Sequence, residues 1–164
     1  MLKTLVLATV AAGCMGSTAM AADLMQPPAP EAVMTSGWDG AYIGGTLNYY
    51  TSNFVAGDLV FGGNFTVSEQ FLIGAEAGVG GWFGLGGGGT GIEAYVAGRA
   101  GFLPTDSVLL YGTLGAKWFS VPPSVFYAGI GAEFKATDNV SIRGEIDRFN
   151  TGVWQATAGA FWHF

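Results

Sequence analysis

Long segments of this 164-residue chain alternate between two kinds of side chain. From Val140 to Asp147 every odd-numbered residue is polar and every even-numbered residue is apolar or glycine. From Trp154 to Phe164 the even-numbered residues are all apolar. Because successive side chains of an extended strand point to opposite faces, a period of two residues predicts β-strands. The chain is therefore expected to be all-β, with an apolar face and a polar face.

Turn-forming residues interrupt the alternation and divide the chain into eight predicted strands. They are 38–50, 58–67, 71–83, 92–103, 108–119, 125–136, 140–149 and 152–164. Most are about twice as long as the strands of soluble proteins and match the length of strands that cross a membrane at a tilt. Polar turns at 68–70, 104–107 and 137–139 alternate with connections at 51–57, 84–91 and 120–124 that are longer on average. This asymmetry is typical of outer-membrane barrels.

A sheet that crosses a membrane has to close on itself, because hydrocarbon offers no hydrogen-bonding partner to an open edge. Eight strands make the smallest such barrel, and its interior is just wide enough to be filled by side chains. We therefore predict, for residues 37–164, an eight-stranded antiparallel up-and-down transmembrane β-barrel with a closed, side-chain-filled lumen. An even number of strands brings both chain ends to the periplasmic side.

The first 36 residues lack the alternation. Lys3, the apolar residues 5–12 and the small residues before Ala22 have the pattern of a secretory signal peptide cleaved after Ala21. Residues 22–36 are rich in proline and alanine and predict a periplasmic tether. A competing interpretation is lipidation of Cys14; cleavage after Ala21 would instead remove this one cysteine and leave no thiol chemistry.

Composition excludes several classes of protein. With 50% hydrophobic and 11% charged residues, the chain is too apolar to be disordered. Six Lys and Arg against twelve Asp and Glu give a net charge of −6, so nucleic-acid binding is not expected. No apolar run approaches the roughly 18 residues that a transmembrane helix needs.

The apolar face is expected to contact lipid. Its members are Leu59, Phe61, Phe65, Ile73, Val96, Leu110, Leu114, Ile130 and Ile142. Aromatic residues at the strand ends predict two girdles, with Phe71, Phe102, Phe134, Trp162 and Phe164 at the periplasmic rim and Tyr49, Trp118 and Trp154 at the other. A soluble sandwich would be expected to place its aromatics in the middle of the strands, so the end placement favours a membrane.

The polar face carries four of the five basic residues that follow Ala21. Distances along the chain from each turn predict three ion pairs in the lumen, namely Glu133 with Arg143, Glu93 with Lys117, and Glu76 with Arg99. Lys135, Glu145 and Asp147 are expected to join this structural ion pairing, the two carboxylates with Arg143 and its neighbours. Because an unpaired buried charge is costly, we expect a packed polar core and no open pore.

Several of these features together resemble a known family. They are the leader pattern, the tether, the opening Trp38-Asp39-Gly40-Ala41-Tyr42-Ile43-Gly44-Gly45 and the terminal Phe164. The whole chain resembles the small outer-membrane β-barrel proteins of alphaproteobacteria, the porin-family or OmpA-like β-barrel proteins. The resemblance implies that the barrel-assembly machinery reads the last strand, a role that would fall on Phe164 with Trp162 and Ala160. The short loops, and the lack of a peptidoglycan-binding domain, argue against host adhesion and cell-wall tethering.

Candidate catalytic residues are few. His163 is the one histidine, and no serine stands next to it, so the His-Ser-acid arrangement of lipid A deacylases is not expected. One histidine and scattered acids lack the spacing of a metal site, and the glycine-rich residues 84–91 lack the lysine of a phosphate loop. We expect no cofactor and no metal.

The function expected from the sequence is structural. The chain would be a non-enzymatic outer-membrane protein that contributes to envelope integrity, contacts outer-membrane lipid and lipopolysaccharide, and needs no obligate protein partner. Three alternatives stay open, namely a narrow channel for ions or small solutes, a lipid A-modifying enzyme, and a soluble periplasmic barrel of the lipocalin type.

Overall fold

A computed structural model of the chain describes residues 37–121 and 124–164. It contains eight strands, β1 (Gly40–Tyr50), β2 (Phe54–Ser68), β3 (Phe71–Gly84), β4 (Thr90–Thr105), β5 (Val108–Phe119), β6 (Val125–Lys135), β7 (Val140–Phe149) and β8 (Trp154–His163). Each strand pairs with the next, and β8 pairs with β1, in one closed antiparallel barrel. The predicted fold class is confirmed. The expected signal peptide and tether lie outside the described residues.

The seam between β1 and β8 is continuous. Its register runs from Tyr42 opposite His163 to Tyr50 opposite Gln155. Beyond it, the backbone N–H of Phe164 donates to the carbonyl of Ala41 at 3.0 Å. Because this seam pairs the first strand with the last, the described sheet has no open edge.

We call the two ends of the barrel the turn end and the loop end. The turn end holds the connections 69–70, 106–107 and 136–139, and the loop end holds 51–53, 85–89, 150–153 and the described residues 120, 121 and 124 between β5 and β6. The expected loop at 51–57 is wrong, because β2 begins at Phe54 and continues the alternation through Asp58. Asn53 makes the short connection possible by adopting a positive φ of 68°. The difference in length between loops and turns is therefore smaller than the sequence suggested.

The outer wall of the barrel is apolar. The nine residues expected on the apolar face all lie there, with 46% to 72% of each side chain exposed. The predicted girdle aromatics also point outward at the two rims, and the rings of Phe71 and Phe102 pack 5.3 Å apart. Within the described part of the chain, no helix is long and apolar enough to cross a membrane.

Candidate functional site

Two arginines and two glutamates form one buried cluster in the turn-end half of the lumen. Glu133 lies directly opposite Arg143 in the register, and Arg143 Nη2 is 3.0 Å from Glu133 Oε2. Arg143 Nη1 also lies 2.8 Å from Glu76 Oε2. Arg99 joins both acids, with Nη2 3.1 Å from Glu133 Oε2 and Nη1 3.6 Å from Glu76 Oε2. We call these four residues the arginine–glutamate cluster; it unites two of the ion pairs that the sequence predicts separately.

A second buried cluster surrounds Lys117 and is called the lysine cluster. Lys117 Nζ lies 3.0 Å from Glu93 Oε1 and 4.0 Å from Asp58 Oδ2. It also donates to the Tyr50 hydroxyl at 2.8 Å and to Gln155 Oε1 at 3.1 Å. Glu93 and Lys117 are the third predicted pair. Sequence reasoning missed Asp58, Tyr50 and Gln155, although extending the alternation of β2 backwards places Asp58 on the inner face.

Three residues do not form the expected ion pairs. Lys135 has no described carboxylate within 4.0 Å; its amino group donates to the carbonyl of Gly37 and lies 5.0 Å from the ring centre of Trp38. Its position at the end of β6 lets the long side chain reach the rim. Glu145 accepts a hydrogen bond from the Tyr111 hydroxyl at 2.5 Å instead of an arginine.

Asp147 is the third correction. It is 0% exposed, and no described N–H or hydroxyl group donates to either carboxylate oxygen; the neighbouring polar group is the carboxyl group of Glu145. The guanidinium of the expected partner Arg143 binds Glu76 and Glu133 instead. A carboxylate is thus buried without a cation, which is costly in the ionised form.

Acidic groups outnumber basic ones inside the barrel. The inward carboxylates are Asp58, Glu76, Glu93, Glu133, Glu145 and Asp147, and the enclosed cations are Arg99, Lys117 and Arg143. Six carboxylates against three cations leave an excess of three acidic groups, or of two when Lys135 at the rim is counted. Between them lies a cavity of about 10 Å³, room for one water molecule. No group of His, Cys, Asp and Glu in residues 37–121 and 124–164 is arranged to hold a metal ion.

Inward-facing aromatic rings line the loop end of the lumen around a cavity of about 380 Å³. This aromatic layer consists of Tyr50, Phe54, Trp82, Phe119 and Phe149. The Tyr50 ring lies 5.9 Å from Phe149 and 6.3 Å from Phe119, and Phe54 packs edge-on to Trp82 at 5.3 Å. This layer was not predicted, because the aromatics at the strand ends were assigned to the outer girdles; the alternation of inward and outward residues, continued to the end of each strand, would have placed these rings inside.

Trp38 closes the turn end. It was expected to begin the first strand; instead it precedes β1 and folds over the lumen, with 1% of its side chain exposed. It packs with Leu72, Leu109 and Tyr111, and its indole N–H donates to the carbonyl of Asp106 at 2.9 Å. A buried indole needs both apolar neighbours and an acceptor for its N–H, and the barrel end supplies them.

The expectation that no serine is adjacent to His163 is wrong in space. His163 Nε2 lies 2.9 Å from Ser141 Oγ and 3.2 Å from Glu133 Oε1. Ser141 Oγ, however, donates directly to Glu133 at 2.5 Å, and His163 Nδ1 has no described partner. In a catalytic triad the acid instead binds Nδ1 and the histidine takes the serine proton. Ser141 is also 0% exposed, and the ring of its neighbour His163 is covered edge-on by Trp38 at 5.6 Å, so substrate has no access to this pair.

No protein-family profile and no curated protein matches the chain. Among solved structures, a de novo designed transmembrane β-barrel matches with a TM-score of 0.57 and 17% identity over 76% of this chain and 94% of the other. The N-terminal β-barrel domain of OprF from Pseudomonas aeruginosa matches with a TM-score of 0.57 and 14% identity, covering 76% and 96%. The attachment invasion locus protein Ail of Yersinia pestis gives 0.51 and 17%, covering 76% and 96%. The likeness is one of fold, that of eight-stranded transmembrane barrels.

Proposed function

We propose that this chain is a structural outer-membrane protein, a lipid-embedded barrel with a sealed lumen that contributes to envelope integrity and carries no catalytic site. Its contacts would be outer-membrane lipid and lipopolysaccharide on the wall, and the barrel-assembly machinery during biogenesis. The outer-membrane location is supported by the fold and by the distribution of apolar residues.

The apolar wall supports the membrane part of the proposal. A soluble barrel of this size buries apolar residues inside and exposes polar ones. Here the distribution is reversed, because the apolar residues Leu114 and Ile130 are about 70% exposed. The charged residues Glu133 and Lys117 are each only 1% exposed. Apolar surface of this extent needs lipid or protein around it.

The sealed lumen is the observation that carries the structural role. A hydrated ion or solute would have to pass Trp38 at the turn end, two ion clusters, and the aromatic layer at the loop end. The enclosed cavity in between has room for about one water molecule. The charged residues therefore stiffen the barrel and do not line a conducting path.

Planar-bilayer recording tests the sealed lumen directly. Purified protein, inserted into a bilayer and verified as folded, should give no stepwise conductance at any applied voltage. Stepwise conductance that is altered by Arg99→Gln or Lys117→Gln, with Lys135→Gln at the rim as the control, would support the narrow channel and overturn the proposal. Mass spectrometry of lipid A with and without expression should likewise show no change, because the Ser141–His163 contact is enclosed.

A further inference from the structure

One charged residue stands apart from all the others in the strands. Arg148 in β7 points outward, whereas the other charged residues of the described strands point into the lumen or lie at its rim. Its side chain is exposed, and it makes no ion pair or side-chain hydrogen bond with residues 37–121 or 124–164. A cation on an apolar wall without an anionic partner in the described residues can pair with an anion from outside the chain.

Arg148 lies at the level of the loop-end girdle. Its register neighbour is the girdle residue Trp154, and its guanidinium carbon lies 5.3 Å from the centre of the Trp154 ring. Aromatic girdles mark the depth of lipid headgroups in a bilayer. If the barrel is embedded as proposed above, the guanidinium therefore stands among headgroups and not among acyl chains.

A groove runs along the wall from Arg148 toward the hydrocarbon region. It has a volume of about 460 Å³; its polar end is formed by Arg148 and Asn150, and Leu114, Phe126 and Ala128 form its apolar part. The register explains its shape, because Leu114, Ala128 and Arg148 are direct neighbours on β5, β6 and β7. The methyl group of Ala128 leaves a depression beside the bulky side chains.

The groove continues into a larger depression of about 1080 Å³ on the same wall. The two share Leu114 and Phe126, and the larger one adds Phe61, Phe65 and Val96 to its apolar lining. The combined surface is long, apolar along most of its length and cationic at one end. That distribution matches an amphiphile with a negatively charged head and an apolar chain.

We propose that this groove is a specific site for a phosphate-bearing anionic membrane lipid, with the phosphate on Arg148 and an acyl chain along Leu114 and Phe126. Guanidinium and phosphate form paired charge-assisted hydrogen bonds, and Arg148 has its donors free for them. The charge complementarity of Arg148 favours a lipid over a second protein copy, since no described outward carboxylate of the strands could pair with it. This inference depends on the proposed membrane location of the wall.

Native mass spectrometry of the full chain, released from vesicles that contain equal amounts of phosphatidylglycerol and phosphatidylcholine, tests the site. We expect phosphatidylglycerol to be retained in preference to phosphatidylcholine. Arg148→Gln should reduce that preference about fivefold, the effect of one basic residue at a charged lipid surface. Arg148→Lys should retain part of it. Lys135→Gln removes the same charge at the opposite rim and should leave the preference unchanged.

The possible failures are distinguishable. Equal retention of both lipids by wild type, an unchanged preference in Arg148→Gln, or a dimer formed in place of lipid adducts would overturn the lipid site. Loss of phosphatidylglycerol on adding inorganic phosphate at millimolar concentration would also overturn it, because it would show a free-anion site. Failure of the protein to enter vesicles would instead contradict the proposed function on which the site depends.

Discussion

At the scale of single residues, the buried carboxylates of the lumen are of two kinds. Glu133 binds Arg99, Arg143 and the Ser141 hydroxyl, whereas Asp147 is equally buried and forms no ion pair with a described cation. Removing one partner of a buried ion network is costly because the opposite charges stay buried. Removing a buried charge that has no cation beside it removes the desolvation penalty that this charge imposes on the folded state.

We therefore predict opposite outcomes for two isosteric substitutions. Glu133→Gln should lower the free energy of unfolding by about 3–5 kcal/mol. Asp147→Asn should leave it unchanged or raise it. Urea unfolding of vesicle-inserted protein, followed by tryptophan fluorescence, measures both. A loss for Asp147→Asn as large as that for Glu133→Gln would mean that Asp147 has a partner that the structure does not show.

The lumenal aromatic rings rest on glycines of the neighbouring strands. Tyr111 lies opposite Gly131 and Tyr95 opposite Gly78 in the register, and a Cβ added at either glycine would overlap the ring beside it. Small residues thus make room for large ones, as the sequence analysis expected in general terms. Cross-strand packing of a ring over glycine also offsets the weak strand propensity of the glycine.

A matched pair of glycine substitutions tests this packing. Gly131→Ala should lower the free energy of unfolding by about 1–3 kcal/mol, because the Tyr111 ring has to move. Gly144→Ala on β7 adds the same methyl group on the outer wall, where no atom lies within 4 Å, and should be neutral or slightly stabilising. Equal effects in a chemical unfolding experiment would contradict the packing role.

At the scale of the elements, β8 combines barrel closure with the expected assembly signal. Its outward face carries Trp154 and Trp162 at the two rims with alanines between them, and Phe164 lies just beyond its end with 72% exposure. The alternation identified this strand from the sequence alone. Its partner β1 could not be identified in the same way, because the closing pair is the most distant in the chain and follows only from the even number of strands.

We predict that Phe164→Ser lowers the amount of folded protein in the outer membrane of expressing cells severalfold. Phe134→Ser should have little effect on that amount. It changes another girdle aromatic at the turn end, 49% exposed, on β6, which is not a terminal strand of the chain. Quantitative immunoblotting of membrane fractions measures both. Equal losses for the two variants would show that any girdle aromatic has this effect, and would contradict an assembly signal at the end of the chain.

The segment before β1 seals the turn end independently of the strands. The indole N–H of Trp38 donates to the backbone carbonyl of Asp106. The backbone carbonyl of Trp38 accepts a hydrogen bond from the side chain of Asn64 at 3.1 Å. Asp39 accepts hydrogen bonds from the backbone and the hydroxyl of Thr66 at 2.5 and 2.8 Å. Periodicity could not foresee this seal, because it depends on a side chain that folds back over the lumen.

We predict that Trp38→Ala costs about 3–5 kcal/mol in the free energy of unfolding, as large-to-small changes of buried aromatics do. The variant should still give no conductance in planar bilayers, because the two ion clusters fill the lumen separately and leave only a cavity of about 10 Å³ between them. Stepwise conductance in Trp38→Ala alone would mean that Trp38 is the only barrier in the lumen.

At the scale of the whole molecule, the distribution of apolar and charged residues between the two faces was predictable. The contacts among the charged residues inside the lumen were not. Strict alternation fixed which face each strand residue occupies, and counting from the turns placed Glu133 opposite Arg143. The merging of Arg99 and Arg143 around shared glutamates depends on contacts across the lumen between strands that are not neighbours. No spacing within one hairpin contains that information, which is also why Asp147 was expected to be paired.

The proposed function requires a barrel that keeps its charged core while its apolar wall lies in lipid. The most direct measurement is electrophoresis in SDS of protein purified from vesicles, with and without boiling. A closed membrane barrel resists SDS until it is heated, so the unheated protein should migrate differently from the boiled protein. Identical migration of both samples, after confirmed insertion into the vesicles, would contradict the account.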